Sequence, residues 1–139
     1  MNVVIDASAI IALALEETDI ALIEATRRTL RDDDQVAPTI MPVEVAGAIA
    51  MAEWTGRRSS DDTDAAWIFA DEIIGAIQLQ ETSNGGELLS LCRRLRLRGA
   101  DASYLKLSID RGASLLTGDK VLASAACAAG VSLVFDPRA

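Results

Sequence analysis

Four carboxylates stand in segments that are otherwise apolar or built of small residues: Asp6, Glu44, Asp101 and Asp119. Asp6 closes the run Val3-Val4-Ile5, opens Ala7-Ser8-Ala9-Ile10-Ile11, and is the sole charge of the first fifteen residues. Glu44 is the sole charge from Met41 to Ala52. Asp101 follows Arg98-Gly99-Ala100, and Asp119 follows Leu115-Leu116-Thr117-Gly118. An ionised carboxylate in such surroundings is costly unless it is hydrogen-bonded, paired or bound to a cation. Four that converge on one cleft repel one another, and some of them hold protons; a divalent cation removes that conflict. The chain has no histidine, so the ligand set is all oxygen, which selects Mg²⁺ or Mn²⁺. Such ions support phosphodiester hydrolysis by activating water and by stabilising charge on the phosphate.

A plainer reading stands beside this one. Aspartate ahead of a helix is a common N-cap, and a first-turn glutamate is favoured by the helix dipole. Each acid taken singly fits that description. Their common placement is what sets them apart, and it depends on the elements around them.

Residues 2–6 read as a buried parallel strand and 7–15 as a short buried helix. Thr18 or Asp19 caps an amphipathic helix to about Leu30, Asp32-Asp33-Asp34 forms a solvated turn, and 35–38 is a second strand. Pro42 suits the first turn of a helix over about 41–56, stopped by Gly56. The apolar character of that helix predicts burial nearly all round. Ser60 opens a fourth helix, and 77–79 is a third strand by position. A helix from Asn84 to Arg98 ends at Gly99, and Asp101 opens the next, to about Arg111. Residues 114–117 form a strand, 119–129 a helix, and 131–135 a last strand. Strands alternate with helices, so the class is α/β with a mainly parallel central sheet and about seven helices. Asp6 and Asp119 then share the C-terminal edge of the sheet, where open α/β sheets place ligands. Glu44 and Asp101 lie at helix starts able to face that edge.

The length of 139 residues fits a single domain, 1–139, with its own core, and half the residues are apolar. The net charge of −8 argues against a general nucleic-acid coat protein, because phosphate repels an acidic surface. A nucleic-acid enzyme with bound cations and local basic patches remains compatible. The absence of histidine excludes Ser-His-Asp triads and His-ligated zinc. Cys92 and Cys127 read as small buried hydrophobes in a reducing compartment. No basic n-region opens the chain and no stretch reaches the length of a membrane span, so a soluble cytoplasmic protein without membrane association is expected.

Val-Ile-Asp6-Ala-Ser8, Pro-Val-Glu44-Val-Ala, Gly-Ala-Asp101-Ala-Ser-Tyr104 and Leu-Thr117-Gly-Asp119-Lys-Val-Leu together resemble the PIN-domain ribonucleases, and more closely the toxins of VapBC toxin–antitoxin pairs. The resemblance runs in order along nearly the whole chain. It implies a PIN-like α/β/α sandwich, Mg²⁺- or Mn²⁺-dependent endoribonuclease activity, and inhibition by a cognate antitoxin. It also implies that Asp6, Glu44, Asp101 and Asp119 form the catalytic and metal-binding acidic set. Ser8 and Thr117 match supporting hydroxyl positions that orient a ligand or water.

Arg93, Arg94, Arg96 and Arg98 crowd one helix end beside the Asp101 turn, and Arg57 and Arg58 follow the Glu44 helix. Solvated helix ends favoured by the dipole account for such clusters. Contacts to RNA phosphates or antitoxin carboxylates are the competing account, with Arg96 and Arg98 the candidates. The apolar surface around Glu44, Trp54 and Trp67 suits an amphipathic partner segment or the seam of a homodimer. Two rival functions are a phospho-acceptor or phosphatase-type α/β domain with Asp6 as nucleophile, and a binding module without catalysis. The first lacks the adjacent acids of a receiver domain, and Ser8 stands where a phosphatase has its second aspartate.

Overall fold

The structure, a computed structural model, describes residues 1–82 and 84–139. Four strands, β1 (Asn2–Ile5), β2 (Asp34–Pro38), β3 (Gln78–Gln80) and β4 (Ser114–Leu116), form one sheet in the order β3-β2-β1-β4, with every pairing parallel. Seven helices connect and flank them: α1 (Ala7–Ala14), α2 (Ile20–Asp32), α3 (Met41–Trp54), α4 (Ser60–Gly75), α5 (Gly85–Leu95), α6 (Gly99–Arg111) and α7 (Lys120–Ala128). The expected α/β class with a parallel sheet and seven helices is what the chain forms.

The connections β1-α1-α2-β2 and β2-α3-α4-β3 step in one direction across the sheet, whereas β3-α5-α6-β4 crosses back beyond β1. Right-handed crossovers therefore put the first group of helices on one face and the second on the other. The packing agrees: α1 rests against α2, α3 and α4, while α6 rests on β1, β2 and β4 and meets α5 and α7. The crossing back creates a topological switch between β1 and β4. Their C-terminal ends are level, Ile5 beside Leu116, and the Asp6 amide continues the ladder to the Leu116 carbonyl at 2.9 Å.

The core is aliphatic, with Val4, Ile5, Ile10, Leu105, Leu115, Leu116 and Leu122 fully buried and Tyr104 the largest buried side chain. β-Branched residues in β1 suit a strand covered on both faces. From Ala102 to Ser108 every residue of α6 is buried, because the helix lies between the sheet and its two neighbours.

Five expectations are corrected. The last strand, 131–135, reduces to a single bridge between Leu133 and Leu115. Only Ser132 and Val134 exchange backbone bonds with Leu115, since β4 is three residues long and offers no further ladder. Helix α5 ends at Leu95 rather than Arg98, closed by Arg96 in the left-handed region at φ 53°. Asp101 does not open α6: Arg98 is the N-cap and Asp101 sits within the first turn. Helix α3 is buried on one side only, with Val43, Met51 and Trp54 exposed, because α1 and α4 cover just one stripe of it. Cys127 is exposed on the outer face of α7 and Cys92 is half-buried; both are free thiols.

Candidate active site

Asp6 leaves β1 with extended backbone angles and occupies the N-cap position of α1, yet its side chain caps nothing. Its Oδ2 instead accepts hydrogen bonds from the Thr117 hydroxyl at 2.6 Å and the Ser8 hydroxyl at 2.7 Å. Each hydroxyl is held in turn by a backbone amide of the β4–α7 turn: Gly118 N–H donates to Ser8 at 2.9 Å and Asp119 N–H to Thr117 at 3.0 Å. The turn thus clamps one carboxylate oxygen of Asp6 across the switch between β1 and β4. Gly118 is required by space. A Cβ there would stand 2.6 Å from Cδ2 of the buried Leu22.

Asp6 is only 5 % exposed. Burial pushes its carboxyl up to about 6, against the pull of its two hydroxyl donors, and the negative charges of Glu44 and Asp101 push the same way. The half-buried Asp101 is raised as well, first by burial, then by Asp119 and Glu44, with Arg98 opposing. The four acids therefore share one electrostatic neighbourhood at the C-terminal edge of the sheet, and each sits on a different connection: β1–α1, α3, α6 and β4–α7.

The plain cap reading holds for one of them. Asp119 accepts from the amides of Val121 at 2.8 Å and Leu122 at 3.1 Å, both through Oδ1. Glu44 lies in the first turn of α3, and its Oε1 accepts a 2.6 Å bond from the Tyr104 hydroxyl. That hydroxyl is held firmly protonated by burial, by the nearby charge of Asp6 and by its bond to Glu44, with the Ala7 amide opposing. Tyr104 is the residue that sequence reasoning passed over. It reads as core, and it is core; the available signal was that a buried tyrosine must find a partner for its O–H.

Arg98 lies close enough to Asp101 to lower its pKa, and Arg96 stands exposed at the end of α5. Arg58 donates to the Leu15 carbonyl at 2.7 Å, at the far end of α1 from Asp6.

The donors gathered here are carboxylate oxygens with hydroxyl support, the set that hard divalent cations prefer. A cation at this edge also suits the mutual repulsion that raises Asp6 and Asp101. As the side chains stand, no group of three or more histidine, cysteine, aspartate or glutamate residues is arranged to hold a metal ion among the described residues. Two of the acids are in fact committed elsewhere, Glu44 to Tyr104 and Asp119 Oδ1 to its helix. The chemistry of the site fits a divalent ion, and the side chains are not drawn in to ligand distance.

No protein-family model matches the chain, and no curated protein does. Among solved structures it is similar to the crystal structure of PAE2754 from Pyrobaculum aerophilum, with 21 % sequence identity, a TM-score of 0.72, and 90 % of this chain and 79 % of that one covered. That likeness extends the fold described above to a second protein.

Proposed function

We propose that this protein is a Mg²⁺- or Mn²⁺-dependent endoribonuclease of the PIN-domain type, acting in the cytoplasm as the toxin of a VapBC pair. The observation that carries the reading is Asp6: a buried carboxylate without a cationic partner, clamped at the switch of a parallel sheet with two further acids raising its pKa. Asp6, Asp101 and Asp119 would hold the ion, with Glu44 completing the acidic edge. When bound, the ion supplies an activated water and neutralises charge developing on the phosphate.

The chain's own residues do the positioning. Ser8 and Thr117 fix one oxygen of Asp6 and leave Oδ1 without a hydrogen bond among the described residues. Tyr104 donates to one oxygen of Glu44 and orients it. Asp119 keeps Oδ2 uncommitted while Oδ1 caps α7.

A cognate antitoxin is the proposed inhibitor, its segment covering the cleft, and a homodimer is the proposed assembly. The open stripe of α3, where Val43 is 70 % and Trp54 77 % exposed, supports an apolar partner. No helix among the described residues is long and apolar enough to cross a membrane.

The test is to incubate antitoxin-free protein with total cellular RNA, with and without Mg²⁺, and to map the ends produced. Discrete metal-dependent cuts that vanish in Asp6→Asn are expected. Intact RNA under all conditions refutes the nuclease reading.

A further inference from the structure

Beside the acidic edge lies a groove of about 550 Å³ between the end of α5 and the outer face of α7. Arg94, Arg96 and Lys120 rim it, Leu95, Val121 and Ala125 contribute apolar surface, and no carboxylate lines it. This is unusual in a chain of net charge −8. The larger cleft at the far end of α1, about 610 Å³, is lined by Arg27 and Arg58 together with Glu16 and Asp62, so its charges balance. Among the described residues none of Arg94, Arg96 and Lys120 pairs with a carboxylate.

The helix dipole explains Arg94, in the last turn of α5. It does not explain Lys120. That residue is the first of α7, where a cation is disfavoured. A cation placed against the dipole at the rim of this groove is accounted for by an anion bound in it. The α7 wall, from Lys120 to Ala128, extends about 12 Å away from the Asp119 turn at the usual helical rise.

We propose that this groove is the track for the phosphate backbone of a single-stranded RNA, leading the strand to the acidic edge. The proposal rests on the nuclease reading and names how its substrate is held. The rim supplies phosphate contacts, which position a strand without reading its sequence. The apolar wall accepts sugars and base faces. Apolar surface beside the cations can be met by the exposed sugars and base faces of a single strand, whereas a duplex keeps its base faces stacked inside.

The experiment compares the wild type with the triple variant Arg94→Gln, Arg96→Gln, Lys120→Gln and with the charge-keeping triple Arg94→Lys, Arg96→Lys, Lys120→Arg. Unaltered thermal melting checks that these exposed positions leave the fold intact. Binding of a labelled single-stranded oligoribonucleotide is measured over a range of salt with chelator present, and cleavage is measured with Mg²⁺. The neutral triple is expected to flatten the slope of log affinity against log salt by about 2, at roughly 0.7 per phosphate contact. It should raise KM and leave kcat at saturating RNA unchanged, and the charge-keeping triple should restore wild-type slope and KM. Wild-type slope in the neutral triple, with cleavage intact, overturns the groove and leaves the nuclease standing. Groove-dependent binding without cleavage keeps the groove and refutes the nuclease. If wild type neither binds nor cuts RNA, both fall. If the neutral triple instead loses binding only to a polyglutamate probe, the occupant is an acidic protein segment and the RNA track is overturned.

Discussion

Among the described residues two charged side chains have little exposure, and they are kept in opposite ways. Lys106 sits inside α6, 8 % exposed, and is answered by Asp110 at 2.6 Å and Glu87 at 3.1 Å. Those contacts raise its pKa, so its charge is settled within the protein. The Lys106 ammonium reaches partners at the surface, whereas the Asp6 carboxylate lies in the interior and has only hydroxyl donors; the charged groups near it are further acids. A charge with its own counterions is compensated within the chain, whether or not the pair adds net stability. A buried charge surrounded by like charges holds only part of its ionisation, and its compensation has to come from outside the chain. That difference separates a structural charge from a candidate working one more sharply than burial alone.

The contrast has measurable consequences. The largest concerns Asp6→Asn. On the nuclease proposal it should slow RNA cleavage by more than about a hundredfold, several kcal/mol of transition-state stabilisation. It should also abolish any rise in melting temperature produced by millimolar Mg²⁺, because only the native state offers the site. Equal metal-induced shifts in wild type and variant would remove Asp6 from the ligand set.

The next concerns pH in chelator-treated protein. The folded-state pKa of Asp6 is about 6 against 3.8 in the unfolded chain, so the native state binds the extra proton. Ionised Asp6 therefore destabilises the fold above pH 6, by about 3 kcal/mol at 1.36 kcal/mol per pKa unit. That cost fades as pH falls from 6 towards 3.8. Asp6→Asn should thus melt higher than wild type at pH 7, with the gap closing towards pH 4. A gap independent of pH would show that Asp6 is not the buried acid described here.

Gly118→Ala tests the clamp itself. A methyl group 2.6 Å from the Leu22 side chain forces the turn or Leu22 to move, at a cost of about 1–3 kcal/mol in denaturant unfolding. Cleavage should fall too, since the Gly118 amide orients Ser8. Loss of stability with cleavage unchanged would show that the Ser8 contact does not matter to the chemistry. The smallest effect belongs to Lys106→Met. Glu87 and Asp110 are both largely exposed, with side-chain accessibilities of 63 % and 48 %, and water takes over from the lost ammonium. Stability should change by less than about 1 kcal/mol and cleavage not at all. A large loss of activity in this variant would erase the distinction between the two charges.

Much of the fold was legible because local signals agreed with one another. The Val3-Val4-Ile5 run, Pro42 near the start of α3, Asp19 capping α2 and Ser60 as the first residue of α4 all mark real boundaries. Glycine as punctuation held at Gly56, just past the end of α3, and slipped at Gly99. Gly99 looks like a stop, yet Arg96 ends α5 in the left-handed region and Gly99 begins α6. Asp101 was misread as a cap for the same reason. The four acids stood out because they were lone charges in apolar runs. Tyr104 did not, because its role depends on Glu44, 60 residues earlier. The open face of α3 was hidden by composition, which reports how apolar a helix is and not how many neighbours it has.

The hydroxyl that fixes Asp6 arrives 111 residues after it. Contacts this distant in sequence form late, since loop closure must be met before they contribute. During synthesis β1 leaves the ribosome well before the β4–α7 turn. A nascent chain shorter than 117 residues carries Asp6 without its Thr117 donor and β1 without its neighbour β4. The candidate site is therefore assembled only once the segment from Ser114 to Asp119 has joined β1, and whatever activity it has waits for that segment.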